Sequence, residues 1–225
     1  MQSMCGRYTV TIDRSTIEKR FGGRFYIARQ EFEATFNAAP TQLLPIIRTY
    51  TPERIELARW GFWPEEWKRS TRARPQINAR LETAVSKPMF ASSFAGRHCL
   101  VLADSFYEWK ALPNGTKQPY RIMLKSGEPF AMAGIYARGE TDDAPVTFAI
   151  LTTKANDLMA SIHERMPVIL PLHHEKEWLP PTPSGMFIFP RFPSELMTAY
   201  PVTPKMNRAT FNQPEAILPL EPTLQ

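Results

Sequence analysis

Proline sets the tightest limit on this chain. It supplies 22 of 225 residues, about twice the usual share of roughly 5%. Ten of them fall between Pro180 and Pro222, where Pro180-Pro181-Thr182-Pro183 and Pro219-Leu220-Glu221-Pro222 would break any long helix or central strand. Residues 180–225 should therefore form a tail of short pieces. Because that tail carries Met186-Phe187-Ile188-Phe189 and Phe192, it is expected to pack on the core and not to serve as a free linker.

Upstream, strand-like runs dominate: Arg7 to Thr11, Leu43 to Arg48, Arg54 to Arg59, Cys99 to Ala103, Phe106 to Lys110, Tyr120 to Leu124, Phe130 to Tyr136, Val146 to Thr152 and Pro167 to Leu170. Thr51-Pro52, Asn114-Gly115 and Ser126-Gly127 supply turns between them. Helical patterning is brief: Ser15 to Phe21 before Gly22-Gly23, Asn156 to His163, His173 to Leu179 and Ser194 to Tyr200. With no βαβ rhythm, the expected class is α+β, mainly antiparallel β, with a twisted or barrel-like sheet flanked by short helices. A single domain spanning 1–225 is expected, since a chain of this length buries roughly 70 to 75% of its unfolded surface.

The composition, 43% apolar and 22% charged, is ordinary for a folded protein, and no run approaches the roughly 18 apolar residues a membrane span needs. The amino terminus shows no secretory signal, so a cytoplasmic location is expected. Cys5 and Cys99 cannot build a disulfide framework, and neither belongs to a zinc-type pair. No metal or cofactor is implied. The net charge of +5 and pI of about 9.3 permit an anionic partner without naming one.

Four segments mix reactive or charged groups with strand ends and turns: Cys5-Gly6-Arg7-Tyr8, Asn78-Ala79-Arg80-Leu81-Glu82-Thr83, Asp104-Ser105-Phe106-Tyr107-Glu108-Trp109 and Ile162-His163-Glu164-Arg165-Met166-Pro167. Each has a plain alternative. Cys5 could be a small buried residue, Glu108 a solvated strand residue, His163 structural, Asn78 a packing residue and each arginine half of a surface ion pair. Cys99, inside the apolar run to Ala103, simply packs. His98, His173 and His174 have no such context and are expected on the surface. Between Trp67 and Leu81 lie Lys68, Arg69, Arg72, Arg74 and Arg80 with no acid among them until Glu82, and Trp60, Trp63 and Trp67 lead into the stretch. Basic residues beside exposed aromatics suit a single-stranded nucleic acid. The alternative is a solvated loop with core tryptophans, Trp60 foremost.

The four segments, in this order, resemble the SRAP (SOS response-associated peptidase) domain family, whose members process abasic sites in single-stranded DNA. The match runs from Cys5 to about Leu170, with Asn37-Ala38-Ala39-Pro40, Trp60-Gly61 and Glu175-Lys176-Glu177-Trp178-Leu179 in support. The resemblance implies that Cys5, once terminal, presents an amine and a thiol on adjacent carbons. An α-amine with pKa of about 7.7 to 8.0 is partly neutral at pH 7 and can attack an aldehyde. The sulfur can then close a thiazolidine ring on the abasic sugar. The resemblance makes Glu108 a proton shuttle and His163 a donor to the sugar oxygen or leaving phosphate. Asn78 would orient the amine or sugar. Arg80 and Arg165 would grip phosphates, and Arg7, near the thiol, would favour thiolate or touch phosphate. Trp67, Arg72 and Arg74 complete the expected DNA track. The expected partner is abasic single-stranded DNA and the expected working unit a monomer.

Cys5 is not at position two, and Gln2 is too large for simple methionine removal. Two explanations are expected to compete: residues 1–4 are a leader cut off by the protein itself, or Met1-Gln2-Ser3 is a scar or misassigned start ahead of a true initiator at Met4. A cysteine peptidase using Cys5 and His163, and a non-covalent DNA binder without chemistry, remain the competing functions.

Overall fold

The computed structural model describes residues 5–26, 32–64, 74–138, 146–180 and 190–220. Lys68, Arg69, Trp67, Arg72, the 1–4 leader and Met186 to Phe189 lie outside the described residues. In chain order the first strands are β1 (Arg7–Val10), β2 (Arg24–Phe25), β3 (Thr35–Ala38), β4 (Leu43–Arg48), β5 (Thr51–Trp60) and β6 (Asn78–Arg80). Then come β7 (His98–Ala103), β8 (Ser105–Ala111), β9 (Lys117–Leu124), β10 (Phe130–Ala137) and β11 (Thr147–Lys154). The last are β12 (Arg165–Pro167), β13 (Ile169–Leu170) and β14 (Met197–Pro201). The helices are short: α1 (Arg14–Phe21), α2 (Leu81–Ala84), α3 (Pro88–Phe94), α4 (Asp157–Ala160) and α5 (Leu172–Trp178).

One sheet has five strands in the order β14-β9-β8-β1-β3. The other runs β12-β11-β10-β7-β4-β5-β2, and a parallel pairing of β11 with β5 closes it into a ring. Closure explains the burial pattern: β7 and β10 are buried at every position, as strands covered on both faces must be. The expected mainly antiparallel, barrel-like sheet is what forms, with parallel pairings, among the described residues, only where β2 and β5, β5 and β11, and β6 and β11 meet.

Local chemistry explains the ends. Asp13 caps α1 by accepting from the Thr16 amide, and Gly22 ends it at φ 72°, a conformation glycine reaches without a Cβ clash. The hairpin joining β8 and β9 turns at Gly115, φ 81°, with Asn114 Oδ1 accepting from the Thr116 amide. Pro52, expected in a turn, instead lies inside β5, and the chain reverses at Thr49-Tyr50.

Two further expectations are corrected. Ser194 to Tyr200 is not a helix: a single 3₁₀ turn, Ser194–Leu196, leads into β14, which pairs with the free edge of β9. An available sheet edge overrides weak helical spacing. His98 is not on the surface. It is fully buried, stacked on Trp178 at 4.0 Å, with its ring nitrogens 2.8 Å from the Trp178 carbonyl and 2.7 Å from the Phe94 carbonyl. Burial pushes its pKa down. Of the two others, His173 is exposed and His174 partly so.

The described part of the proline-rich tail does pack on the core. Phe192 and Met197 join the main cluster, while Val202, Met206 and Ala216 form a second one around Tyr107.

Candidate active site

The register of β1 against β8 pairs Arg7 with Tyr107 and Tyr8 with Phe106, so the residue just before β1 lies across from the Glu108-Trp109 end of β8. Alternation along β8 then decides what each side chain meets. Tyr107 points to the tail cluster, whereas Phe106 lies in the main core, and Glu108 shares Phe106's face. Glu108 is only 1% exposed, not the solvated strand residue of the plain alternative.

Its carboxylate takes a hydrogen bond from the Cys5 backbone nitrogen, 2.5 Å from Oε1. On the other side, Asn78 at the start of β6 donates through Nδ2 to the Cys5 carbonyl at 3.3 Å. Asn78 is carried there by the parallel pairing of β6 with β11, Asn78 opposite Ile150. Cys5 is thus held at both backbone ends by residues from two sheets, in a left-handed conformation with φ 22° that costs a non-glycine residue free energy.

Electrostatics follow from burial. Glu108 is pushed up to about 7, burial outweighing the His163 charge, the Cys5 and Trp109 amides and Lys117, which all pull it down. The Cys5 thiol is raised well above its ordinary value, first by burial and then by the Glu108 charge. This corrects the expectation that Arg7 favours thiolate. The Arg7 guanidinium turns to the tail instead, donating to the Met206 carbonyl at 3.2 Å and the Asn207 carbonyl at 3.4 Å.

His163 follows α4, whose Asn156 cap accepts from the Met159 amide. The Arg165 backbone N–H donates to His163 Nδ1 at 3.1 Å, the shorter of that nitrogen's two contacts with Arg165, whose carbonyl lies at 3.3 Å; with Nδ1 accepting, the neutral ring carries its proton on Nε2. A cavity of about 410 Å³ is walled by Gly6, Arg7, Glu108, His163, Pro40, Trp109, Lys117 and Asn207. It therefore brings together a carboxyl that both gives and takes protons near neutral pH, an imidazole donor and the Cys5 nitrogen behind them. That set suits acid–base work at a nitrogen nucleophile.

The remaining expected residues sort differently. Arg80 is exposed and lines a separate cavity with Arg165. Arg165, 8% exposed, spends its fork on Glu82, both contacts 2.8 Å, and on the Thr152 carbonyl at 2.6 Å. As placed, it is a structural tie and not an open phosphate clamp. Arg74 is exposed and Trp63 half-buried, while Trp60 is core, its indole N–H donating to the Ile77 carbonyl. Trp67 and Arg72 lie outside the described residues. Cys99 packs in the core, its thiol raised by burial. Among the described residues, no group of three or more His, Cys, Asp or Glu is placed to hold a metal, and no helix is long and apolar enough to cross a membrane.

Sequence reasoning missed Lys117 and Asn207. Asn207 sits in a 3₁₀ turn, Pro204–Asn207, and accepts from the Trp109 indole N–H at 2.7 Å. A lysine in a hairpin and an asparagine in a tail carry no local signal. Only the tail's path across the cavity gives them a place there.

Residues 4–209 match the family described as SOS response associated peptidase (SRAP). A Bacillus subtilis relative named "Abasic site processing protein YoqW" is 39% identical over 221 residues, covering 95% of this chain and 99% of its own length. The Escherichia coli "Abasic site processing protein YedK" is 32% identical over 152 residues, 67% of this chain and 66% of its own. An X-ray structure of a protein from Bacteroides thetaiotaomicron superposes with a TM-score of 0.81 at 25% identity, covering 96% of this chain and 100% of that one. The four motifs, the closed sheet and these likenesses together place the chain in the SRAP family of abasic site processing proteins.

Proposed function

We propose that this protein caps abasic sites in single-stranded DNA as a covalent thiazolidine at Cys5, as part of the response to DNA damage. The observation that carries the reading is the 2.5 Å contact between the Cys5 nitrogen and a Glu108 carboxyl raised to about 7. A carboxyl of that acidity takes a proton from the terminal ammonium and returns one to the departing hydroxyl, so the amine and the sugar aldehyde give an imine and one water. The thiol then adds across the imine, sulfur to carbon and hydrogen to nitrogen. Ring closure removes the imine from which β-elimination would break the strand, so any lyase activity competes with capping. His163, with its proton on Nε2, supplies a hydrogen bond to the opened sugar oxygen or the adjacent phosphate. Asn78 fixes the Cys5 carbonyl, and Arg80 offers an exposed phosphate contact. The expected DNA contacts at Trp67, Arg72 and Arg74 belong to the same reading.

Protein beginning at Cys5, incubated with a single strand carrying one abasic site, should give an adduct that survives a denaturing gel. Its intact mass should equal the sum of the two less one water, and Cys5→Ala should give none. An unmodified strand with the starting protein would overturn the proposal.

A second reading, removal of residues 1–4 by the chain itself, is favoured by two observations. Glu108 sits on the nitrogen of the bond to be cut, and the φ of 22° at Cys5 is a restraint that exists only while residue 4 is attached. Thiol attack on the Met4 carbonyl, with Glu108 protonating the nitrogen, would give a thioester that water hydrolyses. No hydrogen bond joins Cys5 to His163, whose Nδ1 is already taken by Arg165, so a Cys–His peptidase acting on other proteins gains no support.

A further inference from the structure

Three cavities on this face share walls in sequence. The site cavity and a smaller one of about 260 Å³ have Trp109, Lys117 and His163 in common. The smaller one shares Ala160 and Glu164 with a third of about 560 Å³, whose other walls include Arg80, Lys154 and Arg191. Because the shared walls set the three side by side past His163, with Arg80, Lys154 and Arg191 at the third, we read them as one groove, basic at its far end.

The cations along that groove are not equivalent. Arg165 is held by Glu82, Arg7 by tail carbonyls, and Arg191 by the Ala155 carbonyl at 2.9 Å. Lys117, Arg80 and Lys154 have no hydrogen-bonded partner among the described residues. Of these three, only Lys117 stands at the join of two cavities, with Trp109 and His163 beside it. It starts β9 in the hairpin with β8, the strand that carries Glu108.

Resting on the single-strand reading above, we propose that Lys117 is a positioning residue of the capping reaction: its ammonium, at the wall shared by two cavities and in the same cavity as Glu108, holds the backbone phosphate next to the abasic sugar. An unpaired ammonium beside an aromatic surface is the arrangement a polyanionic strand with stacking bases would occupy. The same charge acts on Glu108 and lowers its pKa. The other groups that act on Glu108 are His163 from the turn after α4 and the Cys5 and Trp109 amides, while Arg7 from β1, a wall of the same cavity, turns its guanidinium to the tail carbonyls. Lys117 thus couples seating of the strand to the protonation of the carboxyl that serves the amine, which neither Arg80 nor Lys154 is placed to do.

The test uses protein beginning at Cys5 with Lys117→Gln and Lys117→Arg. Binding to a labelled single strand lacking any abasic site is measured across salt concentration, and the rate of adduct formation is measured across pH. With Gln, the salt slope should fall by about 0.7, the share of one phosphate contact on a single strand, and low-salt affinity should drop roughly three- to tenfold. The Glu108 limb of the pH–rate profile should move to higher pH, because a contribution that lowered its pKa is gone. Arg, which keeps the charge, should restore both. A slope or a limb that stays at the starting value with Gln, or that Arg fails to restore, overturns the proposal. Because the binding arm contains no aldehyde, it decides the contact even if the starting protein forms no adduct, a failure that would count against capping itself.

Discussion

Burial holds the Glu108 carboxyl near 7, and the same burial sets folding against chemistry at this residue. Raised above its unfolded value, the carboxyl contributes stability that is fully present below about pH 4.5 and is lost as pH rises through about 7. Glu108→Gln never ionises and still accepts from the Cys5 nitrogen. In the chain with its first four residues attached, Gln should be close to the parent at pH 4.5 and more stable by about 2 to 3 kcal/mol at pH 8. Urea melts at the two pH values check this. Gln cannot shuttle a proton, so adduct formation should slow by roughly 10²-fold or more while affinity for an intact strand changes little. A stability difference independent of pH would mean that the carboxyl titrates in its ordinary range.

Arg165 shows how an element can be tied by a residue the sequence presents as a ligand. At the start of β12 it links α2, through Glu82, to the Thr152 carbonyl of β11. Arg165→Met removes all three contacts and leaves a buried carbonyl without that donor, at a cost of about 1 to 3 kcal/mol. The figure is kept low because Glu82 is 41% exposed and can return to water. Chemical denaturation should register that loss, while the salt slope for single-strand binding should move less than with Arg80→Ala. The reverse order would show that the Glu82 pair opens to admit phosphate. Elements divide in the same way over what a sequence can show. Strands bounded by turn residues, β4, β5 and β7 through β11, are legible because alternation and Asn-Gly chemistry are local. β6 is not, since its three residues are a strand only by pairing with β11. β14 is not, because the edge of β9 recruits it. His98 gives no warning either: its partners, Phe94 and Trp178, come from two helices that β7 alone does not announce.

At the scale of the whole molecule the proline-rich tail is both a cover for the small sheet and a wall of the site. Asn37, buried in β3, donates through Nδ2 to the carbonyls of Met206, Arg208 and Phe211 at 2.9 to 3.0 Å. The Tyr107 hydroxyl reaches the carbonyls of Phe36 and Ala216, and Tyr200 bridges Arg121 to the Ile217 carbonyl. These bonds satisfy turns that have few partners of their own, because proline removes amides and 3₁₀ turns leave carbonyls open. The four motifs name Cys5, Asn78, Glu108 and His163 without the tail. The cavity walled by Glu108 and His163 also needs Asn207, which only this wrapping supplies. Asn37→Ala leaves three carbonyls short of a donor at once, a loss of about 2 to 4 kcal/mol. Its effect should be confined at first to the tail. Amide hydrogen exchange should quicken across 203–217 while β7 and β10 stay protected. Adduct formation should slow through a weaker grip on DNA, with the pH limb assigned to Glu108 unmoved because that carboxyl's own surroundings are intact. Uniform loss of protection across both sheets would instead mean that the tail and the closed sheet unfold together, and that the wall is inseparable from the core it covers.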